Sequence, residues 1–189
     1  MSSLTVKKTK ISDLLLLIPK CFQDDRGFFV ETWNRRAMEA AGLAFDFVQD
    51  NHSLSRDAGT IRGLHFQAPP NAQDKLVRCT RGAIYDVAVD IRVGSPTYSQ
   101  WVKVELTAAN SHQLLIPKGF LHGFVTLLPD TEVQYKCTDY YAPESDGSVR
   151  WDSVGIDWGL KGTPILSAKD GAAAPFSDFQ SPFVFGESI

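Results

Sequence analysis

Three short segments hold most of the side chains that could carry acid–base chemistry. They are residues 49–52, 62–67 and 73–77. If the second segment is a strand, the alternation of its side chains places His65 and Gln67 together on one face. With Arg62 and Lys75 on adjacent strands, His65 would belong to a set comprising an anion clamp, a base that titrates near neutral pH and a fixed cation for a developing oxyanion. Such a set suits enolisation beside a ketone.

Each candidate also has an ordinary structural explanation. A lone histidine in a strand is commonly a satisfied structural residue, and without a fold to gather them these residues form a solvated strand and its charged turn. His122 follows a tight turn between apolar residues, as a core histidine would. Tyr135 shares a strand face with Val133 and Cys137, so its hydroxyl needs an interior partner whether or not it reacts. Asp170 offers a carboxylate that could orient a histidine, but nothing near it in the sequence demands that role.

The sequence contains few of the motifs that bind metal ions or nucleotide cofactors. An iron or zinc site in a barrel generally needs three or four ligands, often His-x-His with a carboxylate nearby. Gln67 occupies the second position of that pair, and His52 and His112 lie in unrelated contexts. The glycine-rich phosphate-binding motifs, the nucleophile-elbow serine and H-E-x-x-H are absent from the sequence. We therefore predict an active site without metal or cofactor.

The composition is that of an ordinary globular domain. Of 189 residues, 43% are hydrophobic and 22% charged, and 19 Lys and Arg against 22 Asp and Glu give a net charge of −3. Neither sign gathers in long runs, so no nucleic-acid or membrane surface is expected. No apolar run approaches the roughly 20 residues that cross a bilayer, and 14–18 is too short for a signal peptide, which predicts a cytoplasmic protein. Three widely spaced cysteines without C-x-x-C predict reduced, structural thiols.

Strands must position the candidate residues, because only one segment is typical of a helix. That segment is 33–41, with Thr32 as its N-cap and Gly42 at the C′ position. Alternating apolar residues predict strands at 101–106, 112–116, 123–128 and 132–137. Turn signals separate these runs closely and leave no room for crossover helices, which favours antiparallel pairing. We predict an all-β fold, either a β-sandwich or a jelly-roll barrel.

The clearest single strand is 83–92. Its odd positions are apolar, while Asp86, Asp90 and Arg92 face the other way. This pattern is typical of a strand with one buried and one polar face. We therefore predict a half-buried strand.

Eight segments, taken in order, resemble the dTDP-4-dehydrorhamnose 3,5-epimerase family, a branch of the cupins. They are 25–31, 49–51, 62–67, 73–77, 86–92, 116–124, 135–136 and 166–170. RGLHFQ and IPKGFLHGF are the most specific pieces, and the resemblance spans residues 4 to about 170. It implies a single antiparallel jelly-roll domain over 1–189 with a few short helices, an N-terminal arm over about 1–30 and a C-terminal tail over about 160–189. It also implies a homodimer, in which an N-terminal segment crosses to the partner, and a metal-free active site inside the barrel.

The resemblance also implies roles for individual residues. His65 would be the general base at the sugar carbons that flank the C4 ketone, and Asp170 would orient and charge it. Lys75 would stabilise the enolate oxygen, and Tyr135 would return a proton from the opposite face. The implied substrate-binding residues are Arg26, Glu31, Gln49, Asn51, Arg62, Lys75, His122, Tyr141, Glu144 and Lys169. Of these, Tyr141 would stack on thymine, and Glu144 has a competitor in Asp146.

The implied reaction is a cofactor-independent epimerisation at C3 and C5 of dTDP-4-dehydro-6-deoxy-D-glucose, through an enolate, to dTDP-4-dehydro-L-rhamnose. An enzyme that stops at C3, or that takes another nucleotide-linked 4-keto sugar, would need the same acid and base, so this alternative stays open. A sugar-binding jelly roll without catalysis and a metal-dependent cupin oxygenase are the remaining alternatives. The joint presence of His65, Lys75 and Tyr135 favours the epimerase over both.

Overall fold

Short strands are the main regular elements of the computed structural model, which describes residues 4–187. In chain order the strands are β1 (Thr5–Lys8), β2 (Leu15–Ile18), β3 (Cys21–Asp24), β4 (Gly27–Val30), β5 (Gln49–Ser55), β6 (Ile61–Gln67), β7 (Lys75–Arg81), β8 (Ala83–Asp90), β9 (Trp101–Thr107), β10 (Gln113–Ile116), β11 (Phe120–Thr126), β12 (Thr131–Cys137) and β13 (Asp146–Ser148). The helices are α1 (Arg35–Ala40), α2 (Ala168–Gly171) and 3-10 turns at Pro143–Ser145 and Phe176–Asp178. Residues 1–3 and 188–189, at the ends of the predicted arm and tail, lie outside the described residues.

Two antiparallel sheets face each other. One has six strands in the order β1-β2-β10-β7-β12-β5, and the other has five in the order β13-β6-β11-β8-β9. Consecutive strands often lie in different sheets, which is the connectivity of a jelly roll. The predicted all-β antiparallel fold is therefore confirmed.

The space between the sheets is filled with apolar side chains over most of its length. Val77 and Val133 from the six-stranded sheet belong to the same buried cluster as Ile84, Ala88 and Leu106 from the five-stranded sheet. Burying a side chain of this size contributes about 1.5–3 kcal/mol. This packing fixes the separation of the two sheets, and thus the width of any cavity between them.

Strand β8 corrects the prediction of a half-buried strand. Its odd residues, including Val87 and Val89, pack outside the sheet in a cluster with Trp158 and Phe183 from the C-terminal part of the chain. Its even residues face the interior, so Asp86 is 0% exposed rather than solvated. The strand is buried on both faces because a segment distant in sequence covers the outer one.

The single predicted helix is present but shorter than the 33–41 prediction. Helix α1 begins after Asn34, not Thr32, because the Asn34 Oδ1 accepts a hydrogen bond from the Ala37 backbone N–H at 3.2 Å. Its Met38 side chain is buried against the outer face of the six-stranded sheet. Across residues 4–187, no helix combines the length and the apolar character that a membrane span requires.

Strands β3 and β4 form a hairpin that pairs with neither large sheet. Three of its aromatic side chains are largely exposed: Phe22 (47%), Phe28 (64%) and Phe29 (69%). Three exposed phenylalanines on one hairpin are an unusual apolar surface for an isolated chain.

Candidate active site

A cavity of about 420 Å³ lies between the two sheets near one end of the barrel. Strands β6 and β11 form one wall, strands β7 and β12 form the facing wall, and helix α2 lies at the edge. The predicted site residues that line it are Arg62, His65, Lys75, His122, Tyr135, Lys169 and Asp170. The fold thus gathers residues separated by more than a hundred positions in the sequence.

His65 forms a tight pair with Asp170. Its Nε2 lies 2.5 Å from the Asp170 Oδ1, and the Asp170 backbone N–H donates to the Ser167 Oγ at 3.1 Å, which caps helix α2. Burial raises the pKa of Asp170, but the hydrogen bonds from His65 and Ser167 and the interaction with the imidazole outweigh it, so the pKa lies below its usual value. The carboxylate therefore stays ionised and holds the proton on Nε2, which leaves Nδ1 as the basic nitrogen.

Lys75 brings a cation into the interior. It begins strand β7 and lies opposite Cys137 of β12. Burial lowers the pKa of Lys75, while the nearby Cys137, Asp146 and Asp86 oppose that shift. An ammonium in such a dry site interacts strongly with negative charge that develops beside it.

Tyr135 lines the same cavity from the six-stranded sheet, on the wall that faces His65. Strand β12 lies between β7 and β5, which places Tyr135 beside Val77 and Asn51. Burial raises the pKa of Tyr135, with a smaller effect of Cys137 in the same direction and an opposing one from Arg62. The phenol therefore keeps its proton at neutral pH and can donate it.

A second histidine–carboxylate pair lies beside the first. His122 is the direct cross-strand partner of His65 in the β6–β11 pair, and its Nε2 lies 2.7 Å from the Asp86 Oδ1. Two glycines permit this close approach, since a Cβ on Gly63 would lie only 2.6 Å from the Gly123 Cα. Sequence reasoning missed Asp86 as a site residue because it assigned this residue to the polar face of a half-buried strand.

An adjacent cavity of about 480 Å³ shares four residues with the first: His65, Lys75, Tyr135 and Lys169. It adds the predicted binding residues Gln49, Asn51 and Tyr141, together with Asp146. Asp146 forms an ion pair with Lys169, and its Oδ2 accepts from the Tyr141 hydroxyl at 3.4 Å. The two cavities together have room for a ligand longer than one sugar ring.

Three predicted binding residues lie elsewhere in the single chain. Arg26 lies in the β3–β4 turn, its side chain 89% exposed and paired with Asp24 at 2.6 Å. Glu31 follows β4, and its Oε1 is buried without a hydrogen-bond partner among residues 4–187. Glu144 is exposed in a 3-10 turn, and Asp146 lines the cavity instead. The sequence leaves the choice between these two carboxylates open, and the position of Asp146 in the cavity wall favours Asp146.

The described residues do not supply a metal-ligand cluster. Within 4–187, no three side chains of the His, Cys, Asp and Glu types converge to hold an ion. The two histidines of the cavity each have one ring nitrogen bonded to a carboxylate. The cavity thus presents two imidazoles, each oriented by a carboxylate.

Comparison with known proteins gives consistent matches along nearly the whole chain. Residues 8–178 match the family model described as dTDP-4-dehydrorhamnose 3,5-epimerase. The enzyme of that name from Salmonella typhimurium is 54% identical over 176 residues, covering 92% of this chain and 95% of the relative. A crystal structure of the Bacillus anthracis enzyme, with TDP and PPi bound, has a TM-score of 0.89 at 49% identity and covers 92% and 99% of the two chains. A Legionella pneumophila structure in complex with dTDP-4-keto-L-rhamnose has a TM-score of 0.89 at 44% identity, covering 94% and 95%.

Proposed function

Because this chain belongs to the dTDP-4-dehydrorhamnose 3,5-epimerase family, we propose that the cavity between its sheets is where a dTDP-linked 4-keto-6-deoxy sugar is epimerised at C3 and C5. The resemblance inferred from the sequence is thereby confirmed at the level of family and reaction. One observation carries the assignment of the site. His65 and Tyr135 line the same cavity from facing sheets, with Lys75 beside them.

The first half of the reaction is a proton abstraction. The Nδ1 of His65 takes the proton from the carbon beside the ketone, the C–H bond breaks, and its electron pair moves into the enolate. Asp170 stabilises the imidazolium that results and keeps the ring oriented. Lys75 stabilises the enolate oxygen, and removing a donor of this kind commonly costs about 3 kcal/mol of transition-state stabilisation.

The second half is reprotonation from the other face. Tyr135 donates its phenolic proton to the enolate carbon and becomes a phenolate, and the new C–H bond has inverted configuration. Exchange with water then returns a proton to Tyr135 and removes one from His65, which balances the cycle. The same pair serves C3 and C5, because both carbons flank one carbonyl group.

The second cavity suits the nucleotide part of the substrate. Lys169 and Arg62 offer positive charge for a diphosphate, and Tyr141, which is 58% exposed at the rim, offers a ring for stacking on thymine. Gln49, Asn51 and His122 supply further polar contacts along the walls. The TDP bound in the Bacillus anthracis structure supports a dTDP-linked substrate for this chain.

A homodimer accounts for the binding residues that the single chain leaves outside the cavities. The exposed phenylalanines of the β3–β4 hairpin need a covering surface, and Arg26 lies in the turn between its strands. A hairpin that docks against a second copy would bury these rings and place Arg26 and Glu31 near the partner's substrate. This arrangement agrees with the crossing N-terminal segment that the family resemblance implies.

The state of the three cysteines agrees with a cytoplasmic location. Cys21, Cys79 and Cys137 are all unpaired thiols, and unpaired cysteines are usual in the reducing cytoplasm. We propose that the enzyme acts there.

The decisive experiment is solvent exchange. Incubating the protein with dTDP-4-dehydro-6-deoxy-D-glucose in deuterated water should place deuterium at C3 and C5 of the product, measured by NMR. His65→Ala should lower the exchange rate by at least about a thousandfold, because the base is lost. His52→Ala is the matched control, since His52 is half-exposed and pairs with Glu132 on the outer face of the sheet; it should exchange like the wild type.

Each other result identifies an alternative. Label at C3 alone would indicate an epimerase that stops after one carbon. Ligand binding without any label would indicate a sugar-binding module. Exchange that survives His65→Ala would contradict the assignment of the base.

A further inference from the structure

Asp86 is a buried charge that the proposed reaction does not use. Its side chain is 0% exposed. The Oδ1 lies 2.7 Å from the His122 Nε2, while the Oδ2 is buried without a hydrogen-bond partner among residues 4–187. A buried carboxylate with one unsatisfied oxygen is destabilising unless neighbouring groups compensate it. Its place inside the barrel therefore calls for an explanation.

The geometry of the strands links Asp86 to the cavity through His122. Asp86 of β8 lies opposite Phe124 of β11, so His122 is its diagonal neighbour, within reach on the same face. His122 lines the cavity and lies beside His65. Each imidazole is thus hydrogen-bonded through Nε2 to a carboxylate. The carboxylate that holds His65 comes from α2, and the one that holds His122 comes from β8.

Asp86 also acts on the catalytic cation. Burial lowers the pKa of Lys75, whereas Cys137, Asp146 and Asp86 raise it and Lys169 lowers it further. The other titratable groups that line the cavity are Arg62, His65, His122, Tyr135 and Asp170. Asp86 is one of three groups that raise the pKa of Lys75, and its Oδ2 has no hydrogen-bond partner among residues 4–187.

We propose that Asp86 is a positioning residue of the active site: it holds His122 with its proton on Nε2, so that Nδ1 accepts a hydrogen bond from a sugar hydroxyl, and it places a negative charge near Lys75. The inference rests on the proposed function, because it assigns the sugar to the cavity that His122 lines. The carboxylate acts through both neighbours and does not itself touch the substrate.

Two substitutions separate the tether from the charge. In Asp86→Asn the amide oxygen still accepts a hydrogen bond from the His122 Nε2–H, so KM should stay within about twofold. The negative charge near Lys75 is gone, so the alkaline limb of the pH profile of kcat should move down by about one pH unit. In Asp86→Ala the tether is also lost, so KM should rise about tenfold, the loss expected for one hydrogen bond to substrate.

Asp90→Asn is the matched control. Asp90 is equally buried on the same strand, but it accepts hydrogen bonds from Arg92, Ser95 and Thr97 away from the cavity. This variant should lower the melting temperature while leaving KM and the pH profile of kcat unchanged. If the Asp86 variants show only what Asp90→Asn shows, Asp86 is merely structural and the proposal is overturned.

A measurement without turnover keeps the inference separate from the proposed function. Long-range 15N–1H NMR of the wild type should show His122 protonated at Nε2, and Asp86→Ala should lose that preference. Should Asp86→Ala fail to fold, Asp86→Asn and the wild-type spectrum decide the matter. A wild-type His122 protonated at Nδ1 would overturn the inference, whereas a correct tautomer in a protein without exchange activity would overturn the proposed reaction alone.

Discussion

The two histidine–carboxylate pairs are chemically alike but lie in different surroundings, which suit the different uses proposed for them. The His65 side chain is 32% exposed and its carboxylate comes from the cavity edge, while the His122 side chain is 8% exposed and its carboxylate lies within the sheet. A base must reach a carbon-bound proton and exchange it afterwards with water. The more accessible imidazole suits that task, and the enclosed one suits a fixed contact with substrate.

The division of labour between base and acid gives a test at the same scale. Tyr135→Phe removes only the proton donor, so exchange of the abstracted proton should persist at an appreciable rate while inverted product falls by at least about a hundredfold. Deuterium content and product configuration, followed by NMR in the same sample, distinguish the two processes. Tyr85→Phe is the control, since Tyr85 lies outside the cavity beneath Lys103. Equal loss of exchange and inversion in Tyr135→Phe would argue against its role as the acid.

At the scale of strands, the close contact of β6 and β11 sets the spacing of the two imidazoles. Gly63 has a φ of +131°, and a Cβ there would also lie 2.8 Å from the His122 carbonyl oxygen. Gly63→Ala should therefore push the strands apart and destabilise the protein by about 3 kcal/mol or more. Gly162→Ala, where a Cβ meets nothing within 4 Å, should change stability by less than about 1 kcal/mol. Urea unfolding measures both, and equal stability of the two variants would contradict this account.

Alternation in the sequence was sufficient to predict the strand that carries Tyr135, because a period of two assigns side chains to faces. For 62–67 the strand was a condition, under which His65 and Gln67 share one face. Alternation could not decide which face of β8 is the interior. That depends on Trp158 and Phe183, which cover the outer face from far along the chain. Asp86 was consequently overlooked, and Asp170 could be paired with His65 only through the family resemblance.

For the whole molecule, the proposed exchange of hairpins predicts complementation between two impaired proteins. Arg26→Ala should weaken substrate binding about tenfold or more, because a charged contact to diphosphate is lost. Mixed with His65→Ala under conditions that exchange subunits, it should form heterodimers in which one site has both native residues. Random pairing restores about a quarter of the sites, measured as a rise in activity at substrate concentrations below the KM of Arg26→Ala.

The control mixture pairs His65→Ala with Tyr135→Phe. Both substitutions lie in the same barrel, so no combination of subunits rebuilds a native site, and activity should stay low. Light scattering should give the mass of a dimer for every protein used. A monomer, or complementation in the control mixture, would contradict the shared site.

The carboxylate of the His65–Asp170 pair is carried by a segment beyond the last strand of the barrel. Strand β13 ends at Ser148, whereas Asp170 lies on α2. On the ribosome, every strand that walls the cavity is therefore synthesised before the carboxylate that pairs with His65. If Asp170 activates His65 as proposed, a nascent chain gains enolisation activity only after this late segment has emerged and docked.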